Sequence, residues 1–316
     1  MGSAIRVGVI GVGYLGRHHA RLYTELPGAI LVGVADVDEN RARDVAAATR
    51  ARAFTDYREM LPQVDAVSVV VPTSQHHRVA MDCLDAGLDV LLEKPMTVTL
   101  AEADELIAQA DAKRRIIQIG HLERFNGAVR ALAPRLTAPR FIESHRLGPF
   151  VGRGTDVHVI LDLMIHDLDI ILSLVRSPLT DIRAVGVPVL TSNIDIANTR
   201  LEFADGCVAN VTASRVSKDA IRKLRVFQPD AYFSLDYQKQ EVIMARRVDG
   251  AGEAGLPAID VQTLAIEKEE PLKAQLSAFL DSVATRRAPL VSGREGRNAL
   301  RVALDVLKSI ERASSS

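Results

Sequence analysis

The chain has 316 residues, 47% hydrophobic and 25% charged, with a formal net charge of −1 and two cysteines. That length accommodates about two domains, each with a core of its own. The balanced charge offers no footprint for nucleic acid or an anionic membrane, and no apolar run, "AVSVVV" included, is long enough to cross a bilayer.

"IRVGVIG" is a β-branched run of the kind buried on both faces of a parallel sheet. No charged-then-apolar leader precedes it, and "MGSAIR" carries Arg6 where a myristoylation signal needs Ser or Thr, so a cytoplasmic protein is expected. "AILVGVAD", "DAVSVVVP", "LDVLLEKP" and "RIIQIGH" read as further strands, with helical patterns between them at about 14–25, 39–50, 76–86 and 100–113. Strand–helix alternation at this spacing predicts a doubly wound α/β domain over residues 1–122.

From Glu123 the texture changes. "RFNGAVRALAPRL" reads as a helix and "RFIESHRLGPF" as a strand, followed by an apolar helix around residue 165. Alternating segments follow: "DIRAVGVPVL", "IANTRLEFADGCVANVTASRV" with an Asp-Gly hairpin signal, and "KLRVFQPDAYFSLDYQKQEV". "DGAGEAGL" reads as a flexible loop, and two helices, from Pro271 and from Gly293, close the chain before a frayed "SSS". Residues 123–316 are therefore expected to form an α+β domain on a large, mostly antiparallel sheet. Cys83 and Cys207 form no CxxC or zinc pattern and read as core residues.

Three places carry chemistry. Gly11-x-Gly13-x-x-Gly16 follows the first strand and opens a helix, with Tyr14 and Leu15 inside the motif. In that context the glycines make a tight turn, admit a pyrophosphate and let helix and strand pack closely, while the helix start offers free amides. Asp36 lies twenty residues after Gly16, where a carboxylate meets the adenine ribose, so the cofactor is expected to be NAD; Arg41 and Arg43 are the residues that would favour NADP instead. Lys94 sits between Glu93 and Pro95 at the end of the fifth strand, the end at which open parallel sheets bind ligands. A lysine there either polarises a substrate oxygen or reaches solvent. In "LDLMIHDLDI", Asp162, His166, Asp169 and Ser173 fall within an arc of about 60° at 100° per residue, among apolar neighbours. The arrangement reads as a cavity wall, with a hydrogen-bonded core histidine as the alternative. His158, Asp162 and His166 also repeat at i, i+4 and i+8, but a cofactor accounts for the stripe and no metal is expected.

"GVGYLG", "VPTSQHHRVA", "GLDVLLEKPM" and "LDLMIHDLDI" together resemble the Gfo/Idh/MocA family, named for glucose–fructose oxidoreductase and inositol dehydrogenase. The resemblance spans nearly the whole chain and implies an NAD(P)-dependent dehydrogenase acting on a CH–OH group of a sugar or cyclitol. It places Lys94 and His166 on the reacting hydroxyl, either one as the base, with Asp162 beside them and Asp169 holding the helix. It also places Pro72, Thr73, His76 and Glu93 near the cofactor. His18, His19 and His77 are expected at the surface or next to phosphate. Met164 stands where the family usually has glycine.

Within the family, "GHLERFN", "VPTSQHH" and "DVHVILDLMIHDLDI" are similar to UDP-N-acetylglucosamine 3-dehydrogenases, whose 3-keto products a partner aminotransferase converts to 3-amino sugars for lipid A. This implies a nucleotide-sugar substrate, with Arg124, Arg146 and Arg153 as candidates for its diphosphate, alongside Lys94, Asp162 and His166. A free cyclitol such as myo-inositol, or a non-catalytic NAD sensor on the same fold, are the other readings. A homodimer or homotetramer is expected.

Overall fold

The computed structural model describes residues 4–152, 157–251 and 257–314. They divide into two compact units, 4–122 with 270–300, and 123–269 with 301–314. Among them no helix is long and apolar enough to cross a membrane.

In the first unit the chain runs β1 (Ile5–Ile10), α1 (Gly16–Glu25), β2 (Ala29–Ala35), α2 (Glu39–Thr49), β3 (Arg52–Phe54), β4 (Ala66–Val69), α3 (Thr73–Asp85), β5 (Asp89–Leu92), α4 (Leu100–Lys113) and β6 (Ile117–Ile119). The strands form one parallel sheet in the order β3-β2-β1-β4-β5-β6. Every residue of β4 and β5 is buried, as strands covered on both faces must be. The helices start on local signals. Asp38 accepts the amides of Asn40 and Arg41 to begin α2, and Thr99 and Glu102 form a capping box at α4. β3, only three residues long, gives too short a pattern to be read from sequence.

The chain then enters the second unit: α5 (Gly127–Leu132), β7 (Phe141–Leu147), a π-helical turn Ile160–Met164, α6 (Ile165–Leu174), β8 (Leu179–Val187), β9 (Ile196–Phe203), β10 (Val208–Ser214), β11 (Ile221–Gln228), β12 (Ala231–Asp236), β13 (Glu241–Ala251) and β14 (Pro257–Thr263). Among the described residues these strands form a sheet in the order β14-β13-β12-β11-β7-β10-β9-β8, antiparallel except for β7–β10. Their alternation sets two faces. Ile142, Ala209, Val211, Leu224, Val226 and Phe233 are buried on one face, where α6 packs on β7 and β10 and α5 on β12. Phe141, Phe227 and Tyr232 pack in a row on the other. The expected loop over "DGAGEAGL" lies mostly outside the described residues, as does the end of "SSS".

Two helices follow, α7 (Pro271–Thr285) and α8 (Gly293–Ser314). Here the expected domain limits need correction, because residues 270–300 belong to the first unit. Leu272, Leu276, Phe279, Leu280 and Val283 of α7 share a core with Val7, Val9, Leu22 and Tyr23. Arg286 donates to the buried Asp89 at the start of β5 (2.5 and 3.1 Å) and to the Arg114 carbonyl. Without α7, this apolar face of the sheet layer would meet water.

Phe279 is fully buried. Phe279→Ala should therefore lower the unfolding free energy by about 3–5 kcal/mol, the usual cost of emptying a large core site. Urea denaturation followed by circular dichroism measures it.

Candidate active site

The glycine motif links β1 to α1, at the point where the sheet order reverses between β1 and β4. Gly11 has φ +84°, and a Cβ there would strike the Val70 carbonyl at 2.6 Å. A Cβ on Gly16 would collide with the Gly11 carbonyl oxygen, whereas one on Gly13 would meet nothing within 4 Å. Two glycines thus serve the turn, and the third leaves open space in front of the backbone. No side chain caps α1; the Arg17 and His18 amides donate back to the Gly13 and Leu15 carbonyls (3.2 and 2.9 Å), so the motif turn runs directly into the helix. Tyr14 is exposed, Leu15 is partly buried, and Arg17 lies over the Tyr14 ring.

Beside this turn a cavity of about 380 Å³ is lined by Gly11, Gly13, Asp36, Arg41, Tyr57 and Pro72, among others. The Asp36 carboxylate is nearly buried and accepts the amides of Val12 (2.9 Å) and Asp38 (3.0 Å). Arg41 approaches it to 3.3 Å, while Arg43 pairs with Glu39. An open Gly13 at a helix N-terminus and a fixed carboxylate at the end of β2 suit a dinucleotide. Gly11, Gly13, Gly16 and Asp36 are the residues that would hold its diphosphate and adenosine ribose.

Past β5 the chain turns through Glu93, Lys94 and Pro95. Glu93 is buried and accepts the Lys94 amide at 3.3 Å. Its carboxylate lies 3.4 Å from His19 and 2.5 Å from where a Cβ on Gly120 would be. Lys94 itself is half-buried. His19 is fully buried on the inner face of α1 with Gly16, Ala20 and Tyr23, which corrects its expected place at the surface or beside phosphate. The 3.6-residue spacing of those four positions is the signal that would have placed it there. His18 packs edge-on against Tyr14, and His77 pairs with Glu105 at 2.9 Å.

His76 was expected beside the cofactor, but its ring is buried, with Nδ1 2.8 Å from the Pro95 carbonyl and Nε2 2.9 Å from that of Val71. Each nitrogen faces a backbone carbonyl and not the cavity beside the glycine turn. Burial pulls the imidazole below its ordinary range, opposed by the two carbonyls and by Glu93. The neutral ring donates through one nitrogen. Thr73 is partly buried at the start of α3.

The second unit carries the stripe helix. Asp162 lies in the π-helical turn and is partly buried, whereas His166 and Asp169 are buried in α6. The wider i→i+5 turn changes the phase between Asp162 and His166, so the uniform 100° spacing expected for the stripe does not hold across it. Asp167 is fully buried and accepts Arg146 Nε at 2.6 Å and the Ser144 hydroxyl at 2.8 Å. Arg146 also donates to Glu123 (3.1 Å) and covers the Tyr237 ring. The guanidinium is buried and its charge is already matched by two carboxylates, Asp167 and Glu123, so the expectation that Arg146 meets a substrate diphosphate is corrected. Position 146 falls on the inner face of β7 with Ile142 and Ser144, a period-two signal that was readable in "FIESHRL". Desolvation and the neighbouring acids push the Tyr237 phenol well above its ordinary range. Arg124 lies 3.6 Å from Asp169. Arg153 falls outside the described residues.

The His158 imidazole accepts the Ile194 amide, and no group of three His, Cys, Asp or Glu among the described residues is placed to hold a metal ion. Burial raises the thiols of both cysteines, Cys207 to about 11, which leaves them unreactive.

The family model described as "Oxidoreductase family, NAD-binding Rossmann fold" matches residues 5–121, and the Gfo/Idh/MocA C-terminal domain matches 119–230. The chain belongs to the Gfo/Idh/MocA family. Its members include the UDP-N-acetylglucosamine 3-dehydrogenase of Acidithiobacillus ferrooxidans, 40% identical over 309 residues and covering 97% of both chains. A solved structure of that enzyme superposes with a TM-score of 0.92 over 98% of each chain. Inositol 2-dehydrogenase 2 of Paenarthrobacter aurescens is 30% identical over 97% of this chain and 96% of its own. A levoglucosan dehydrogenase solved with NADH shares the fold, with a TM-score of 0.87 at 16% identity over 98% of this chain and 97% of its own. Family membership makes the protein an NAD-dependent oxidoreductase.

A buried carboxylate at position 36 repels a 2′-phosphate, and Arg41 is already paired with it. NADH should bind at least about tenfold tighter than NADPH, a gap of ~1.4 kcal/mol. Asp36→Ser, which frees Arg41, should shrink or invert that ratio in a fluorescence titration with both cofactors.

Proposed function

We propose that the protein is an NAD-dependent dehydrogenase that oxidises the C3 hydroxyl of UDP-N-acetylglucosamine to the 3-keto sugar. The observation that carries this reading is the 40% identity to the Acidithiobacillus enzyme along 97% of both chains. Oxidising a secondary alcohol requires removal of the hydroxyl proton, stabilisation of the charge left on oxygen, and transfer of the carbinol hydrogen as hydride. Bound NAD supplies the hydride acceptor. His166 takes the proton, and Lys94 donates to the oxygen as its charge develops. Asp162 orients the imidazole or a neighbouring sugar hydroxyl. Exchange of the roles of Lys94 and His166 is the other assignment that fits this chemistry. A non-catalytic sensor would have no use for all three side chains.

Arg124, partnered by Asp169, is the remaining described candidate for the diphosphate. The second substrate reading is a free cyclitol, favoured by the inositol dehydrogenase match over nearly the whole chain. The 3-keto product suits an aminotransferase as the next step, and a cytoplasmic setting belongs to the same proposal. So does a homodimer or homotetramer, for which the open sheet face offers Ile243, Ile259 and Val261, all at least 44% exposed and on the same face of β13 and β14.

Lys94→Ala and His166→Ala should each lower kcat by about 10²–10⁴-fold, the usual cost of losing an acid–base group, with NADH affinity little changed. A near-normal rate in either variant removes that residue from the mechanism. For the substrate, UDP-N-acetylglucosamine, NAD, glutamate and a 3-keto-sugar aminotransferase should together yield the amino sugar by mass spectrometry. Reduction of NAD by myo-inositol, with UDP-N-acetylglucosamine neither reacting nor competing, would transfer the assignment to cyclitols.

A further inference from the structure

His76 is buried, and its ring spans two segments of the first unit. One nitrogen is 2.9 Å from the carbonyl of Val71, just past the end of β4. The other is 2.8 Å from the carbonyl of Pro95, the residue after Lys94. Loop carbonyls at the carboxyl end of a parallel sheet lack strand partners, and leaving them buried and unmade costs free energy. The neutral imidazole has one N–H to give, so it donates to one of these carbonyls and packs against the other, wedged between the two segments. On the other side of the lysine, the Glu93 carboxylate receives the Lys94 amide and is held against His19 and Gly120. Beyond Pro95, Met96 and Thr97 are buried, with the Thr97 hydroxyl donating to the Thr99 carbonyl at 2.7 Å. Lys94 is thus a half-buried residue in a turn whose flanks are fixed on both sides.

We propose that His76 is a positioning residue for the reaction: its buried ring, lodged between the Val71 and Pro95 carbonyls, holds the backbone of the turn from which Lys94 projects. The inference rests on the role given to Lys94 above. A lysine has four rotatable bonds beyond Cα, so its ammonium is only as well placed as the backbone carrying it. A displacement of about 1 Å at a reacting group costs on the order of 10²-fold in rate. His76 contributes through that geometry and needs no contact with substrate or cofactor. Val71 also lines the cofactor cavity, so the test must separate an effect on Lys94 from one on the cofactor.

The test is a double-mutant cycle on kcat in the full-length protein, with NADH affinity and thermal midpoint measured for each variant. His76→Leu, which removes both contacts, should lower kcat by about 10- to 100-fold with a smaller change in KM. His76→Gln keeps an N–H donor and should recover most of the loss, as simple packing at the site would not require. In a Lys94→Ala background, adding His76→Leu should cost less than about twofold further, because residues acting through one group are not additive. An undiminished further loss in that background, or a loss wholly accounted for by weaker NADH binding, overturns the inference and leaves Lys94 in the mechanism. Full turnover of Lys94→Ala alone overturns the role of the lysine and the inference with it.

Discussion

A clearance too small for a single methyl group organises the first unit. α1 can begin where it does only because position 16 has no Cβ to meet the Gly11 carbonyl. That approach fixes the rotation of α1 about its axis, and with it everything the helix presents. Its first amides face the glycine turn, and one turn later His19 points inward. His19 meets Glu93, and Glu93 receives the Lys94 amide. Cradle and lysine are thus one construction, joined through a helix whose phase is set by glycine.

The second unit depends on a different constraint, the cost of burying charge. Arg146 is withdrawn from water beneath α6, which requires partners whose placement leaves little freedom. Asp167 takes Nε, Glu123 takes another guanidinium nitrogen, and Tyr237 offers its ring face. Breaking such a buried pair typically costs about 3–5 kcal/mol, because one charge is left uncompensated. Asp167 directly follows His166 in sequence, so anchoring one backbone residue anchors the next. Arg124 and Asp169 add a second ion pair along the same helix.

The sequence made most of this legible where the signal is local. Glycine spacing, β-branched runs and the Asp-Gly turn predict elements within a few residues, since each is decided by backbone chemistry at that point. That Asp36 and Lys94 fall just past the ends of β2 and β5 was readable because strand ends are marked in the chain. What escaped depends on partners far away in sequence. Arg146 looked like a phosphate ligand because an arginine in a strand carries no mark of the acid it will meet on a helix. His76 resembled a cofactor contact because two backbone carbonyls leave no trace in residue identity. The π-helical turn escaped because "ILDLM" is as good an α-helix as any, and only packing selects the wider turn. Residues 270–300 were misplaced for a similar reason, since an amphipathic helix declares an apolar face but not what will cover it.

The return of the chain to its first unit bears on how the protein is made. On a ribosome, β1 to β6 emerge well before Leu276 and Phe279, which share a core with Val7 and Leu22. All of 123–269 must be synthesised in between, so the first unit waits with an apolar layer uncovered while the second is still being extruded. Contacts this distant in sequence raise contact order and slow the final closure. A nascent chain stalled near residue 250 would therefore hold a nearly complete parallel sheet with one face unfinished, a natural client for a chaperone that binds apolar surface.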